Sequence, residues 1–235
     1  KEGFANIVTS TDVAVQDFLC ERLAQILPGS GFLCEEADMN DLSHKYTWII
    51  DPIDGTANFA RGIDQCAICV GLAVKEEKEF SSGVNMILGL VYLPRTGELF
   101  YAEKGKGAYL NGKQIHVSDR PFANGILCTA LPVYHKEYAP LCSKIILEAF
   151  TQCNDIRRFG ACAPELCYLA MGRCEMYFEY LLSPWDFAAA SLILTEAGGV
   201  ITDLNGNAPT CLHPSGIVAA NNKENLDRML GIVNS

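Results

Sequence analysis

The chain of 235 residues is 49% apolar and 20% charged, so it can bury a sizeable core in one large domain or two modest ones. Its net charge of −10, with 18 dispersed Lys and Arg residues, argues against nucleic acid as a partner. No apolar run approaches the roughly 20 residues of a membrane span, and the first residues lack the apolar segment of a signal peptide, so we expect a cytoplasmic protein with no membrane partner.

The first half begins with a predicted helix and continues as predicted strands. Residues 10–27 carry apolar side chains at helical spacing up to a Pro-Gly pair, which predicts a helix. The run "KYTWIID" is short and rich in β-forming residues, which predicts a buried strand that ends at Asp51. From residue 66 to 117, β-rich runs alternate with turn signals, and this alternation predicts an antiparallel meander.

The second half alternates predicted helices with short predicted strands. The helices cover residues 137–153, 163–172 and 183–197, and the strands lie near residues 126–130, 156–159, 176–180, 199–202 and 216–220. The last helix opens with Ser183 as N-cap, Pro184 at the first position and Asp186 at the third, and it is so apolar that it must be buried. The change of pattern divides the chain into halves 1–120 and 121–235.

The eleven cysteines are irregularly spaced and mostly lie within apolar runs, which is typical of buried thiols in a reducing compartment rather than of a disulfide framework. Cys66 and Cys69 have the spacing of metal ligands, but no second pair answers them, so a strand interior is the favoured interpretation. None of the four histidines has a partner at metal-ligand spacing. We therefore expect chemistry without a catalytic histidine.

The run "WIIDPIDGTANF" ends an apolar strand in two aspartates three residues apart. Asp51 and Asp54 would lie at one end of a sheet, where ligands that are all oxygen suit Mg²⁺ or Mn²⁺ rather than zinc. If a helix begins at Gly55-Thr56, its free backbone N–H groups form an anion site beside the cations. Cations next to a phosphate site are an arrangement for phosphoryl transfer.

Each part of this interpretation has a plainer alternative. Asp, Pro and Gly are ordinary turn residues, so "DPIDG" by itself can be only a turn. Glu35 and Glu36, in a predicted loop just before the strand, supply further carboxylates. Asp186 adds another at the start of a buried helix, where a charge is costly unless it meets a cation or caps the helix. Both readings of Asp186 stay open at this point.

Two long motifs, "WIIDPIDGTANF" and "SPWDFAAASLILTEAGGVITD", resemble the signature motifs of the inositol monophosphatase family of magnesium-dependent, lithium-sensitive phosphatases. The resemblance extends over essentially the whole chain, through "NIVTSTD", "FLCEEAD" and "GKGAYLNGKQIHVS". It implies an α/β (α+β) fold, a layered αβαβα sandwich. A larger antiparallel sheet would come from the first half and a smaller mixed sheet from the second.

The resemblance also implies a metal site and a reaction. Two or three Mg²⁺ ions, for which Mn²⁺ can substitute, would support direct attack of a metal-activated water on the phosphate. Glu35, Asp51 and the carbonyl of Ile53 match the first metal site. Asp51, Asp54 and Asp186 match the second, and a third, weaker ion would lie near Glu35.

The phosphate and the water have their own matches in the family. Gly55 and Thr56 match residues whose backbone N–H groups bind the phosphate. Thr56 and Asp12 match a hydrogen-bonded pair that orients the attacking water. Together with Glu35, this pair is the catalytic set that the resemblance implies.

Substrate contacts are matched less closely. Glu179 matches a position that contacts substrate hydroxyls, and Gly160 and Ala161 lie near the expected substrate pocket. Lys1 falls where the family has a lysine on a mobile loop. Cys34 departs from the family pattern, which usually has glycine before the first metal-binding glutamate.

The implied substrate is a small polyol phosphate, inositol monophosphate first. Phosphatases of histidinol phosphate, fructose 1,6-bisphosphate and 3′-phosphoadenosine 5′-phosphate share these motifs and stay open as alternatives. A catalytically silent homologue is a further alternative, against which the presence of all the matched ligands argues. A calcium-binding module is disfavoured because, counted from "DLNGN", Pro214 stands where an EF-hand needs its last carboxylate. A homodimer is also expected.

Overall fold

The computed structural model describes residues 10–36, 40–75 and 85–235, which form six α-helices and twelve β-strands within these ranges. The helices are α1 (Ser10–Ile26), α2 (Thr56–Arg61), α3 (Ala139–Phe150), α4 (Cys162–Ala170), α5 (Pro184–Glu196) and α6 (Lys223–Val233). The strands are β1 (Gly31–Cys34), β2 (Tyr46–Asp54), β3 (Ala67–Val74), β4 (Asn85–Leu93), β5 (Glu98–Glu103), β6 (Ala108–Leu110), β7 (Lys113–Ile115), β8 (Ile126–Thr129), β9 (Asp155–Arg157), β10 (Met176–Leu182), β11 (Val200–Thr202) and β12 (Ser215–Ala220).

The larger sheet contains β1 to β7 in sequence order. All neighbouring pairs from β2 to β7 are antiparallel, which confirms the predicted meander. At the edge, β1 instead runs parallel to β2 and places Phe32 opposite Trp48, so the larger sheet is mixed and not wholly antiparallel as expected. The sequence does not predict β1, because four residues are too few to show an alternating pattern.

The run "KYTWIID", apart from its first residue, forms the start of β2, and the prediction that this strand ends at Asp51 is wrong. β2 continues to Asp54 because β3 pairs with it on both sides of Pro52, with Asp51 opposite Cys69 and Asp54 opposite Ala67. The register is irregular between these two pairs, and a proline, which has no N–H to donate, is tolerated in such a stretch. Both aspartates therefore belong to one buried strand end rather than to an exposed turn.

The smaller sheet has the strand order β11-β12-β10-β8-β9. β10 is antiparallel to β12 and parallel to β8, so this sheet is mixed, as expected. Its five strands lie within or beside the five short segments that the sequence predicts. The sequence analysis did not anticipate α6, a weakly apolar helix that begins after Asn222, whose side chain accepts a hydrogen bond from the Asn225 N–H.

The elements stack in five layers. α1 packs on the outer face of the larger sheet, α4 and α5 lie between the sheets, and α3 and α6 cover the outer face of the smaller sheet. The expected αβαβα sandwich is confirmed. Gly89 lets α5 lie close to β4, because a Cβ at this position would come within 2.3 Å of the Ala189 carbonyl oxygen. This close approach holds the middle of α5 against the larger sheet.

The boundary predicted near residue 121 falls between β7 and β8, and so between the two sheets. Phe100 from the first half and Phe187 from the second nevertheless share one buried core. The division at 120/121 stays a prediction. In the described part of the chain, which includes all eleven cysteines, every thiol is free, and no helix there is both long and apolar enough to cross a membrane.

Candidate active site

A pocket of about 350 Å³ lies where the end of β2 meets the first turns of α2, α4 and α5. Most of the charged side chains that line it are carboxylates. The acidic ones are Glu35, Asp51, Asp54, Glu165, Glu179 and Asp186, and the basic ones are Arg61 and Arg158. The fold thus brings together acidic residues that lie up to 151 positions apart in sequence, as the numbers of Glu35 and Asp186 show (186 − 35 = 151).

Asp51 is the most enclosed of the carboxylates on β2, with 1% of its surface exposed. Its Oδ1 accepts a hydrogen bond of 2.9 Å from the Ile53 N–H. Burial raises the pKa of Asp51 well above its usual range, and the negative charges of Glu35, Asp54 and Asp186 raise it further. The ionised form of Asp51 therefore needs a positive charge nearby.

Asp54 is anchored to the start of α4. Its Oδ2 accepts a hydrogen bond of 2.6 Å from the Ala163 N–H. Burial raises the pKa of Asp54 to about 7, although the N–H groups of Ala163, Cys162 and Gly55 oppose the shift. One carboxylate oxygen thus ties the two halves of the chain together, and the residue lines the pocket.

Asp186 caps α5 and also lines the pocket, so its position is compatible with both roles that the sequence left open. Its Oδ2 accepts a hydrogen bond of 2.7 Å from the Ser183 N–H, which completes a capping box at the start of α5. The same residue lines the pocket. Burial, together with the charge of nearby Asp54, raises the pKa of Asp186 well above its usual range. Capping by one oxygen leaves the other available to a ligand.

Glu35 reaches the pocket from the residue after β1. Its N–H donates to the Ile50 carbonyl at 3.3 Å, which extends the link between β1 and β2. The next N–H, that of Glu36, donates to Gln16 Oε1 of α1 at 2.9 Å. The position of Glu35 therefore depends on both β2 and α1.

These residues fit a hard divalent cation by their chemistry. The acidic side chains that line the pocket are all carboxylates, the ligand class that Mg²⁺ and Mn²⁺ prefer. Asp51 and Asp54 are buried, Asp186 is partly buried, and all three have raised pKa values, which is the electrostatic situation that a bound cation relieves. Among the described residues, no three His, Cys, Asp or Glu side chains are drawn together closely enough to enclose a metal ion. The carboxylates therefore share a pocket without surrounding a single point.

Thr56 and Asp12 lie together, as the resemblance implied. Thr56 Oγ1 is 3.3 Å from Asp12 Oδ1 and 3.0 Å from the carbonyl oxygen of Ile53, so the hydroxyl can donate to either. Asp12 lies in the first turn of α1 and is completely buried. Gly55, Thr56 and Ile53 all line the pocket. The hydroxyl of Thr56 is thus held by a buried carboxylate at the pocket wall.

Glu179 lies on β10 at the side of the pocket formed by the second half of the chain. Its Oε2 accepts a hydrogen bond of 2.6 Å from the hydroxyl of Tyr177. Burial raises the pKa of Glu179 to about 7, while the guanidinium of Arg158 acts in the opposite direction. Arg157 instead forms an ion pair with Asp155 on the surface. Of these two adjacent arginines, only Arg158 lines the pocket.

Gly160 and Ala161 also line the pocket, in the loop before α4. Gly160 has φ of +85°, a left-handed conformation that favours glycine. Lys1 lies outside the described residues.

The sequence analysis did not anticipate Glu165 and Asn58, which lie in the pocket wall. Glu165 is 1% exposed, and its Oε1 accepts hydrogen bonds from the N–H groups of Phe159 and Gly160 at 2.8 and 2.9 Å. Asn58 Nδ2 donates to the carbonyl of Phe159 at 2.8 Å and to that of Gln65 at 2.7 Å. Both hold the loop before α4. Their partners are backbone groups, so no motif of side-chain types reveals them.

Glu165 allows a stability test. Burial raises its pKa to about 8, so the side chain is mostly protonated at pH 7, where glutamine matches it in charge and shape. We expect Glu165→Gln to keep the parental free energy of unfolding in urea. Glu165→Ala should lose about 1–3 kcal/mol, because the Phe159 and Gly160 donors lose their acceptor. An equal loss in both variants would contradict this role.

Comparisons with known proteins found relatives along the whole length of the chain. The family model described as "Inositol monophosphatase family" matches residues 1–235. The chain is 36% identical over 224 residues to an inositol-1-monophosphatase of Caulobacter vibrioides, covering 94% of this chain and 85% of that protein. It is 33% identical over 232 residues to the Nus factor SuhB of Escherichia coli K12, with coverages of 98% and 83%. A solved structure, the IMPase TM1415 of Thermotoga maritima, superposes with a TM-score of 0.84 at 30% identity, covering 100% of this chain and 85% of that one.

Proposed function

Because the chain belongs to the inositol monophosphatase family, we propose that it is a Mg²⁺-dependent phosphomonoesterase that acts on a small polyol monophosphate, with inositol monophosphate as the first candidate. The observation that carries the proposal is the group of carboxylates that line one pocket, among which Asp51 and Asp54 are buried and Asp186 is partly buried. All the residues that match the family's metal ligands are present in this chain, which argues against a catalytically silent homologue.

The cation would be held by Glu35, Asp51, Asp54, Asp186 and the carbonyl oxygen of Ile53. A divalent cation in this place supplies polarisation of the phosphate, acidification of a water molecule and stabilisation of the leaving oxygen. Two or three Mg²⁺ ions, or Mn²⁺ in their place, belong to this proposal. The buried carboxylates contribute the negative charge that makes the pocket selective for cations.

Thr56 and Asp12 would position the attacking water. In the proposed arrangement the Thr56 hydroxyl, which lies within reach of both Asp12 and the Ile53 carbonyl, donates its proton to Asp12, so its lone pairs are free to accept a hydrogen bond from water on the pocket side. The buried carboxylate of Asp12 fixes the direction of that hydroxyl and can accept a proton through it. The water would then attack phosphorus directly, with no covalent intermediate on the enzyme.

Backbone donors at the start of α2 would bind the phosphate. The first N–H groups of a helix have no carbonyl partner within the helix, and Gly55 and Thr56 occupy this position. Gly55 has φ of +83°, and a Cβ there would lie 2.9 Å from the Cβ of Ala161, so glycine is needed for the close approach. Glu179, on the opposite side, would accept hydrogen bonds from substrate hydroxyls.

Charged side chains of opposite sign in the pocket decide whether the preferred substrate is a monophosphate or a bisphosphate. Glu179 repels a second phosphate, whereas Arg61 and Arg158, which also line the pocket, attract one. Glu179 is the more enclosed group and lies deeper in the fold, on a central strand of the smaller sheet, which favours the monophosphate. Fructose 1,6-bisphosphate and 3′-phosphoadenosine 5′-phosphate are the competing substrates.

A substrate panel tests the proposal. We expect the parent to hydrolyse inositol 1-phosphate with a higher kcat/KM than histidinol phosphate, fructose 1,6-bisphosphate or 3′-phosphoadenosine 5′-phosphate. Glu179→Gln should lower kcat/KM for inositol 1-phosphate by about 10- to 100-fold, the worth of a hydrogen bond to a charged group. Exposed Glu224→Gln on α6 is the control and should match the parent.

Other outcomes would change the conclusion in different ways. A bisphosphate preference in the parent would contradict the polyol monophosphate, and hydrolysis of none of the four esters would contradict the phosphatase. Equal rates for Glu179→Gln and the parent on every ester would remove Glu179 from the substrate site. The cytoplasmic location, the homodimer and the sensitivity to lithium remain predictions.

A further inference from the structure

Two cysteines face each other beside the proposed metal site. Cys20 Sγ, on α1, lies 3.8 Å from Cys34 Sγ, at the end of β1. Cys34 is 2% exposed, whereas Cys20 is partly exposed. A disulfide bond has a length of about 2.05 Å, so closing this gap requires a movement of less than about 2 Å shared between the two elements.

The pair lies where such a movement would displace residues of the proposed active site. Asp12, Gln16 and Cys20 follow one another at intervals of four residues on one face of α1. Asp12 contacts Thr56, Gln16 accepts from the Glu36 N–H, and Cys20 faces Cys34. This face of α1 therefore holds the segment from Cys34 to Glu36 and the proposed water-positioning pair at the same time.

We propose that Cys20 and Cys34 are a reversible oxidation site, whose disulfide form lowers the activity of the adjacent pocket. Glu35 follows Cys34 directly, so any shift of the Cys34 backbone toward α1 moves the first proposed metal ligand. A misplacement of about 1 Å in a catalytic arrangement can cost about 100-fold in rate. The effect on turnover rests on the proposed function, whereas the pairing of the thiols does not.

The oxidant that balances the reaction is a hydroperoxide. Hydrogen peroxide oxidises the more accessible thiol, that of Cys20, to a sulfenic acid and is reduced to one water. The Cys34 sulfur then attacks the Cys20 sulfur, forming the S–S bond and releasing the sulfenic oxygen as a second water. Overall, two thiols lose two electrons and two protons. A dithiol reductant reverses the step by exchange.

Cys20 differs from most other thiols of the chain in its exposure to solvent. Apart from Cys20, only Cys153 is not buried, so these two are the cysteines that peroxide in water reaches most readily. Cys153 Sγ lies 3.4 Å from the Asp155 carbonyl oxygen, in the loop after α3, and does not line the catalytic pocket. Cys153→Ser is therefore a matched control for the loss of an accessible thiol.

The test is oxidation of the reduced protein with hydrogen peroxide, followed by peptide mass mapping and two functional readouts. We expect a peptide cross-link between Cys20 and Cys34, with the loss of two hydrogens. Hydrolysis of inositol 1-phosphate should fall at least about tenfold, and Mg²⁺ affinity measured by calorimetry should fall with it. Both should return with dithiothreitol. Cys153→Ser should behave like the parent, and Cys20→Ser should keep its reduced-state activity under peroxide, apart from slow damage shared by all variants.

Two results would overturn the proposal. One is oxidised protein without a Cys20–Cys34 cross-link, and the other is a complete cross-link that leaves both hydrolysis and Mg²⁺ affinity unchanged. A reduced parent with no hydrolytic activity would instead count against the proposed function. In that case the cross-link and the Mg²⁺ affinity still decide the oxidation site.

Discussion

Replacing Asp186 with asparagine is expected to lower kcat by about 100- to 1,000-fold while changing the free energy of unfolding by less than about 1 kcal/mol. Asparagine can still accept the Ser183 N–H through its Oδ1, so the capping box at the start of α5 survives. Its second position is then an NH₂ group, which is a donor and cannot bind a cation. The variant therefore separates the observed helix cap from the proposed role as a metal ligand.

The measurements are kcat at saturating substrate and Mg²⁺, and urea unfolding of the same preparation. Asp227→Asn serves as the matched control, because Asp227 is an exposed carboxylate on α6 paired with Lys223. It should keep the parental kcat. Near-parental turnover of Asp186→Asn would mean that Asp186 is a helix cap and nothing more.

The second large effect is expected at the Thr56–Asp12 pair. Thr56→Ala removes the hydroxyl that would accept a hydrogen bond from the water, and Asp12→Asn removes the charge that holds this hydroxyl. Each should lower kcat by about 100-fold or more, the range for a positioned proton-transfer group. Because the two residues act as one unit, the double variant should be no slower than the slower single variant.

A double-mutant cycle on kcat checks this coupling. Asp12 is completely buried, so urea unfolding is needed to show that each variant is folded at the assay temperature. If the logarithms of the two losses simply add in the double variant, the residues act independently. That result would contradict a shared role in positioning water.

The sequence predicts the carboxylates that line the pocket better than it predicts their surroundings. "DPIDG" correctly indicates a strand end rich in carboxylates, but the strand runs on to Asp54, because pairing with β3 resumes after Pro52. Local patterns contain no information on that pairing. The choice between cap and ligand at Asp186 could likewise not be made from sequence, since it depends on where α5 lies relative to β2.

The residues that sequence analysis missed share one property, which is that their partners are distant or are backbone groups. Asn58 reaches the carbonyl of Phe159, which is 101 positions away. Glu165 holds the N–H groups of the loop before its own helix. Cys20 and Cys34 meet only because α1 packs on the larger sheet near β1. Such contacts follow from the stacking of layers and not from any local pattern.

Removal and return of the divalent cation are the most direct test of the proposed metal-dependent hydrolysis. Protein treated with EDTA and then freed of chelator is expected to have lost its hydrolysis of inositol 1-phosphate. Addition of Mg²⁺ should restore it, whereas Asp186→Asn should recover little at the same concentration. Full hydrolysis by the stripped protein in the absence of any divalent cation would contradict the assignment of the buried carboxylates as metal ligands.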